Sequence, residues 1–317
     1  MHDVECHEVS GRRMEQALAD ITGRAYRRWT AMASGTVSPA GLLELQDELL
    51  DHVAAAVATD PEYPDLDDLT QAALLTAAEC SLGALSAGCF PEGDQSIRLP
   101  LLETSLTNDN SGFRVTGAPC AAEWLDAFAL CVVSGLVWDW QRVFGLMLRF
   151  DYAPAIRDGF PHSPHTAVSD PADLAAMDTL CLYLTPARSH LPSGWPTLTL
   201  RKPDPAERAA AARALDTTHP TDPDHRLLRV LLDDDREQFE DALATRLTEH
   251  RRHTETETGT GASPRTLLPV RALALASLAD QTHRWPLRIA SGYLPAALIG
   301  SSSARRHLDE ATRARTS

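Results

Sequence analysis

Residues Trp124 to Ile156 read WLDAFALCVVSGLVWDWQRVFGLMLRFDYAPAI, and their reading decides the fold class. Two strongly apolar segments at helical spacing meet at Ser134-Gly135, and they carry three of the six tryptophans. The stretch predicts buried helices over Ala121–Gly135 and Val137–Phe150. Leu125, Phe128, Leu130, Val133, Leu136, Phe144, Leu146 and Leu148 are expected in the core, because so apolar a segment shows water only a narrow stripe. Its longest apolar run, Phe128 to Trp138, is shorter than the roughly 20 residues of a membrane span and is flanked by Asp126 and Asp139, so it reads as core helix.

Outward from this stretch, alanine and leucine dominate and strand formers are few, which makes a mostly α fold the default. Apolar residues recur every three or four positions over 14–32, 42–58, 69–87, 171–184, 205–215, 224–232, 236–250 and 267–283. Cap residues followed by proline, Ser38-Pro39, Asp170-Pro171, Asp204-Pro205 and Ser263-Pro264, mark helix starts. Helices joined at Asp233-Asp234-Asp235 look like an αα-hairpin, so the expected architecture is a multi-helical array of antiparallel helix pairs. Residues 1–300 are read as a single domain and 301–317 as a flexible tail. A loop or small β-hairpin is expected within 90–118, with Ser96–Leu99 and Phe113–Thr116 as its strands. Residues 186–204, which include Trp195, read as a second long loop, and Thr254–Ala262 as a flexible linker by composition.

The 317 residues are 44% apolar and carry a net charge of −15. Residues 1–160 hold 10 basic and 24 acidic side chains, so nearly all the surplus acid lies in the first half. Such a field disfavours nucleic acid and attracts basic partners. His2, Asp3 and Glu5 follow Met1 with no apolar run behind them, which argues against a secretory signal and for a cytoplasmic protein without membrane attachment. The six cysteines show no CxxC pairing and are read as reduced, with Cys80, Cys131 and Cys181 packed as small apolar groups.

Chemical signatures are sparse. Asp233-Asp234-x-x-Glu237 matches the acidic pattern with which terpene cyclases hold magnesium, but a second metal motif is absent and aspartates before a helix start serve as caps. His162 and His165 lack a third ligand at zinc spacing, and Arg251 and Arg252 between His250 and His253 would repel a cation. No glycine-rich phosphate loop, GxSxG or HExxH occurs. No metal and no cofactor are expected. More informative are polar residues inside apolar helices. Thr76, Glu79, Gly83 and Ser86 share one helical stripe. Glu79, Asp126, Asp139, Arg142 and Arg149 are expected to pair with one another, because buried charges need partners. A polar pocket lined by Trp124, Trp138, Trp140 and Arg149 is the alternative, with Glu79, Asp126, Asp139 and Arg142 as its acid–base and charge-bearing groups.

With Ala77-Ala78-Glu79-Cys80-Ser81-Leu82-Gly83-Ala84-Leu85-Ser86, Leu231-Leu232-Asp233-Asp234-Asp235 and Ser291-Gly292-Tyr293-Leu294-Pro295 beside it, the 124–156 stretch resembles the immunity protein 49 family over about residues 10–298. That family is known mostly from actinobacteria. The resemblance implies protection of the producer cell from a toxin encoded next door, and it carries no catalytic motif. The expected partner is then a basic cognate toxin, bound and occluded. Asp60, Glu62, Asp65, Asp67 and Asp68, with Glu92 and Asp94 on the following loop, form the expected contact surface. The other reading is a helical enzyme or small-molecule-binding protein of secondary metabolism that uses the tryptophan-lined pocket.

Overall fold

The structure is a computed structural model and describes residues 2–35, 37–59, 64–93, 95–107, 115, 117–139, 143–159, 165–185, 200–258 and 261–300. In chain order the elements are β1 (His2–Val4), α1 (Gly11–Leu18), α2 (Ile21–Ala33), α3 (Pro39–Val57), α4 (Asp68–Cys89), β2 (Ser96–Leu99), β3 (Thr104–Thr107), α5 (Ala121–Ser134), α6 (Phe144–Met147), α7 (Ala153–Asp158), α8 (Pro171–Cys181), α9 (Pro205–Thr218), α10 (Pro223–Leu232), α11 (Arg236–Thr258), α12 (Val270–His283), β4 (Ile289–Ser291) and α13 (Ala296–Ile299). The chain is mostly helical. Its buried apolar side chains form one cluster that runs from Val4 to Leu298.

Caps define many of the helix starts. Ser38 accepts from the Gly41 N–H at 3.1 Å, Asp170 from Ala172 at 2.7 Å, and Asp204 from Ala206 and Glu207 at 2.8 and 2.9 Å. Ser263-Pro264 opens only a 3-10 turn, and the Ser263 hydroxyl goes to Asp51 instead. The span expected as one helix over 14–32 is two, broken where Asp20 takes a left-handed backbone (φ 40°) and caps α2 through Gly23. Thr254–Ala262 is not a linker throughout: α11 continues to Thr258, with Thr254 buried.

α3 packs along α4, α4 against α5, and α10 against α11, as sequential helix pairs do. α12 departs from that order by returning across the chain to pack on α5. β1 pairs in parallel with β4, which ties the two ends of the chain together. α4 is long and apolar enough to cross a membrane, with mean hydropathy 1.4 over its best window, but 83% of that window is buried inside the fold, as in a core helix.

Gly135 ends α5 in the left-handed region (φ 78°), where glycine carries no Cβ penalty, so the break at Ser134-Gly135 is real. The helix expected over 137–150 is not continuous. A 3-10 turn, Leu136–Trp138, follows Gly135, and Val143 (φ 53°) precedes α6. α6 runs through a π turn, Leu148–Tyr152, into α7. All the expected core residues of this stretch are buried except Leu146, which is half-buried.

The insertion after α4 is a hairpin, but its second strand is Thr104–Thr107 rather than Phe113–Thr116; residues 113, 114 and 116 lie outside the described residues. The stripe on α4 is its seat. The Leu101 N–H donates to Thr76 Oγ1 at 2.9 Å, Gln95 Nε2 donates to the Ser86 carbonyl at 3.1 Å, and Ile97 fills the space a Cβ on Gly83 would need. Small and polar residues occur at that spacing because a loop docks there.

Candidate functional site

Trp124 and Trp138 belong to the core. Trp124 is 0% exposed, stacks on Phe128 and donates its indole N–H to the Leu148 carbonyl at 3.0 Å. Trp138 is 2% exposed and donates to Gln281 Oε1 at 2.9 Å. Trp140 and Arg142 lie outside the described residues. Glu79 is buried in α4 and Asp139 half-buried after the 3-10 turn. Asp126 does not join Arg149: it accepts from Arg271 Nε of α12 at 2.6 Å. Arg149 donates to the Leu184 carbonyl, with its guanidinium over the Phe150 ring. Asp126 and Arg149, expected to pair within that group, therefore find partners on distant elements, which helical spacing does not report.

The expected acidic contact surface is divided. Asp60, Glu62 and Asp94 lie outside the described residues, while Asp65, Asp68 and Glu92 are exposed. Asp67 is the N-cap of α4: it accepts from the Thr70 N–H at 2.9 Å and the Thr70 hydroxyl at 2.8 Å, and these bonds hold its carboxyl below the usual range. Between the 65–68 group and Glu92 stand the 22 residues of α4, a rise of about 33 Å. The two acidic groups therefore stand at opposite ends of one helix, as the expected helix over 69–87 implies.

A recess that the sequence reading missed lies where α5, α8, α10 and α12 meet. Leu125, Phe128, Leu180, Leu228 and Leu275 wall a cavity of about 30 Å³, with Asp224, His225 and Arg271 at its polar edge. Asp222 caps α10, accepting from the Asp224 N–H at 2.7 Å, and this sets His225 one turn before Leu228 on the same face. His225 is 4% exposed, and neither ring nitrogen makes a hydrogen bond; its Nε2 lies 3.2 Å from Asp173 Oδ1. Burial pushes the Asp173 carboxyl up, against the pull of His225 and Arg271 and with Asp170 and Asp222 adding to the rise. Both nearby arginines are committed. Arg271 holds Asp126 and the Ala122 carbonyl, while Arg246 grips Asp224 through two bonds of 2.6 and 3.0 Å. A histidine on the apolar face of α10 was the signal available in sequence.

A larger cleft of about 720 Å³ lies between α1, α3 and the 264–267 turn, lined by Arg12, Arg13, Arg24, Glu48 and Asp51 among others. Several of its polar groups hold the fold together. Arg24 bonds the Gln16 and Ala17 carbonyls at the end of α1 and reaches Glu48 at 2.9 Å. Asp51 accepts from the Ser263 hydroxyl and from the Arg265 N–H.

Asp233-Asp234-Asp235 does not assemble a metal site. Asp233 pairs with Arg229, Asp235 caps α11 through Glu237 and Gln238, and Asp234 takes Lys202 at 2.6 Å, Arg208 at 3.0 Å and His283 Nδ1 at 2.8 Å. His283 Nε2 faces the Tyr183 hydroxyl at 3.0 Å. With Nδ1–H donated to Asp234, Nε2 accepts from Tyr183, and the ring stays neutral. Burial pulls the His283 pKa from 6.5 down to about 4. This Asp–His–Tyr chain has its imidazole sealed from solvent, with 0% side-chain exposure, so it fastens the α10–α11 turn to α12 and to Tyr183 after α8. Of the histidines read as a metal pair, His162 lies outside the described residues, and among the described residues no group of three or more His, Cys, Asp or Glu side chains is placed to hold a metal. None of the six cysteines is in a disulfide, and burial pushes Cys80 up to about 12.

No curated protein and no solved structure matches this chain. The model of one protein family, immunity protein 49, matches residues 60–298, a span that holds α4 to α12, the recess and the Asp234 network but most of the 720 Å³ cleft only outside it. With three-quarters of its length inside that match, the chain belongs to the immunity protein 49 family.

Proposed function

We propose that this protein protects its producer by binding a cognate toxin and covering the toxin's working surface, in the cytoplasm, without a cofactor. Family membership over residues 60–298 carries the reading. The acid surplus of residues 1–160 favours a basic toxin, since complementary charge speeds encounter and selects partners. Nucleic acid and membrane have no part in it. Co-expression of the toxin encoded beside this gene in a sensitive host is the test: survival with this protein, and death without it, is the expected result, and death in both cases would refute it.

A second reading, a small-molecule-binding protein or enzyme, draws support from one observation. The 720 Å³ cleft falls within the size range of ligand sites, about 300–1,000 Å³. Its tryptophan-lined version has no such support, because Trp124 and Trp138 are spent on the core. A biosynthetic cluster around the gene in place of a toxin would favour this second reading.

A further inference from the structure

We propose, resting on the small-molecule reading, that the cleft between α1, α3 and the 264–267 turn binds a small hydroxylated anion, a sugar phosphate or hydroxycarboxylate carrying two or more negative charges. At about 720 Å³ the cleft takes a whole small molecule and not one side chain. α1 turns one face to it. Arg12, Arg13, Gln16 and Ala17 lie on that face, since the second, third and fourth follow the first by one, four and five residues, and this puts both guanidinia over the same opening.

Five of the ten basic side chains of residues 1–160 fall between 12 and 28, so the acidic half of the chain carries a basic patch here. The carboxylates in the wall are already engaged. Glu48 accepts from Arg24 Nε at 2.9 Å and Arg28 Nε at 2.5 Å, and Asp51 accepts from the Ser263 hydroxyl, the Arg265 N–H at 2.9 Å and Arg265 Nη1 at 3.1 Å. Arg12 and Arg13 have no such partner. Among the described residues neither guanidinium makes an ion pair or a hydrogen bond, and the Ser10 hydroxyl and Gln16 amide beside them are free as well. With Glu44 on Arg28 and Asp47 on Arg265 counted in, four carboxylates stand against Arg12, Arg13, Arg24, Arg28 and Arg265. A free guanidinium offers a planar fork of N–H donors that matches a phosphate or a carboxylate. Ser10 and Gln16 supply partners for hydroxyl groups. Ala17 and Pro264 are the apolar side chains of the described lining, so it offers no ring to stack a base and no wall for an acyl chain. α1 starts at the cleft without a side-chain cap and with no acidic residue in its first turn, which adds a smaller share of positive potential. The net charge of −15 opposes an anion at long range, but at physiological salt screening sets in at about 8 Å, so the guanidinia in the cleft decide.

The test is calorimetric titration of the full-length protein at physiological salt with glucose 6-phosphate, citrate, glucose and putrescine in turn. Saturable binding of one or both anions, and none of glucose or putrescine, is expected, and the tighter anion tells phosphate from carboxylate. Arg12→Gln and Arg13→Gln change exposed side chains that hold nothing in place, so they should leave thermal unfolding unchanged and each weaken anion binding about tenfold. Arg252→Gln, at an exposed arginine outside the cleft, should leave binding as it is. Silence from both anions overturns the site, as does anion binding that Arg12→Gln and Arg13→Gln leave at wild-type strength. Glucose or putrescine bound in place of an anion overturns it too, with the small-molecule reading still standing, whereas silence from all four probes and a toxin gene beside this one remove both.

Discussion

Acid should unfold this protein through His283, and by an amount that can be worked out. The ring is sealed from solvent and held neutral between Asp234 and Tyr183, with a pKa of about 4 against 6.5 for an ordinary histidine. Burial is the largest cause, with the Lys202 and Arg208 charges acting in the same direction and Asp234 opposing them. Because the folded-state pKa is depressed, the unfolded chain takes up the proton first. Stability from this group is fully present above pH 6.5, is lost as pH falls from 6.5 to about 4, and levels off below. That gap, at about 1.4 kcal/mol per pH unit, comes to about 3 kcal/mol. His7, His52 and His250 are depressed as well and titrate below 6.5 in the same sense, so the total loss does not isolate His283. A difference between variants does. Urea unfolding of wild type and His283→Gln is followed by circular dichroism at pH 8, 6, 5 and 4. The variant is less stable at pH 8, having lost its bonds to Asp234 and Tyr183, and the gap between the two proteins narrows by about 3 kcal/mol on acidification. A gap that does not change with pH would refute the buried neutral imidazole.

Other outcomes follow from the packing. Leu130→Ala, at a site 2% exposed, should cost about 2–5 kcal/mol in thermal or urea unfolding. Gly83→Ala would put a Cβ 2.5 Å from Ile97 Cδ1 and so should cost about 1–3 kcal/mol, chiefly by displacing the β2–β3 hairpin from α4. Asp67→Ala removes the α4 cap and should cost about 1 kcal/mol, whereas Asp65→Asn and Asp68→Asn should each change stability by less than about 0.5 kcal/mol. If the start of α4 faces the toxin, the Asp65→Asn/Asp68→Asn double variant should slow association in low salt and match wild type at about 1 M salt, where charges are screened beyond about 3 Å. Surface plasmon resonance across a salt series reads both.

What was legible in the sequence was whatever one helix decides for itself. The apolar stretch at 124–148 had to be buried, and Gly135 had to end its helix, because those conclusions need only composition and local spacing. Over 137–150 the apolar residues keep helical spacing although the backbone turns at Leu136–Trp138 and again at Val143, and spacing alone does not report such a break. Partners far along the chain were invisible for another reason. Trp138 with Gln281, Asp126 with Arg271, and Asp234 with His283 are joined by the way α12 returns across the fold, and periodicity reports neighbours on one helix only. The recess was missed on the same ground, as its lining draws Leu125, Leu180, His225 and Arg271 from four helices. The acidic residues before and after the helix expected over 69–87 stand at the two ends of α4, separated by its length.

The most direct test of the central claim is a titration of toxin activity. Purified toxin encoded beside this gene is held at a concentration well above its Kd and mixed with rising amounts of this protein, and residual toxic activity is read at each ratio. Protection by occlusion predicts a linear fall that reaches zero at one molecule of this protein per toxin, with the complex recovered intact on a sizing column. Full neutralisation at a small fraction of that ratio would mean the protein turns over as an enzyme, and undiminished toxin activity at excess would mean it does not bind the toxin at all.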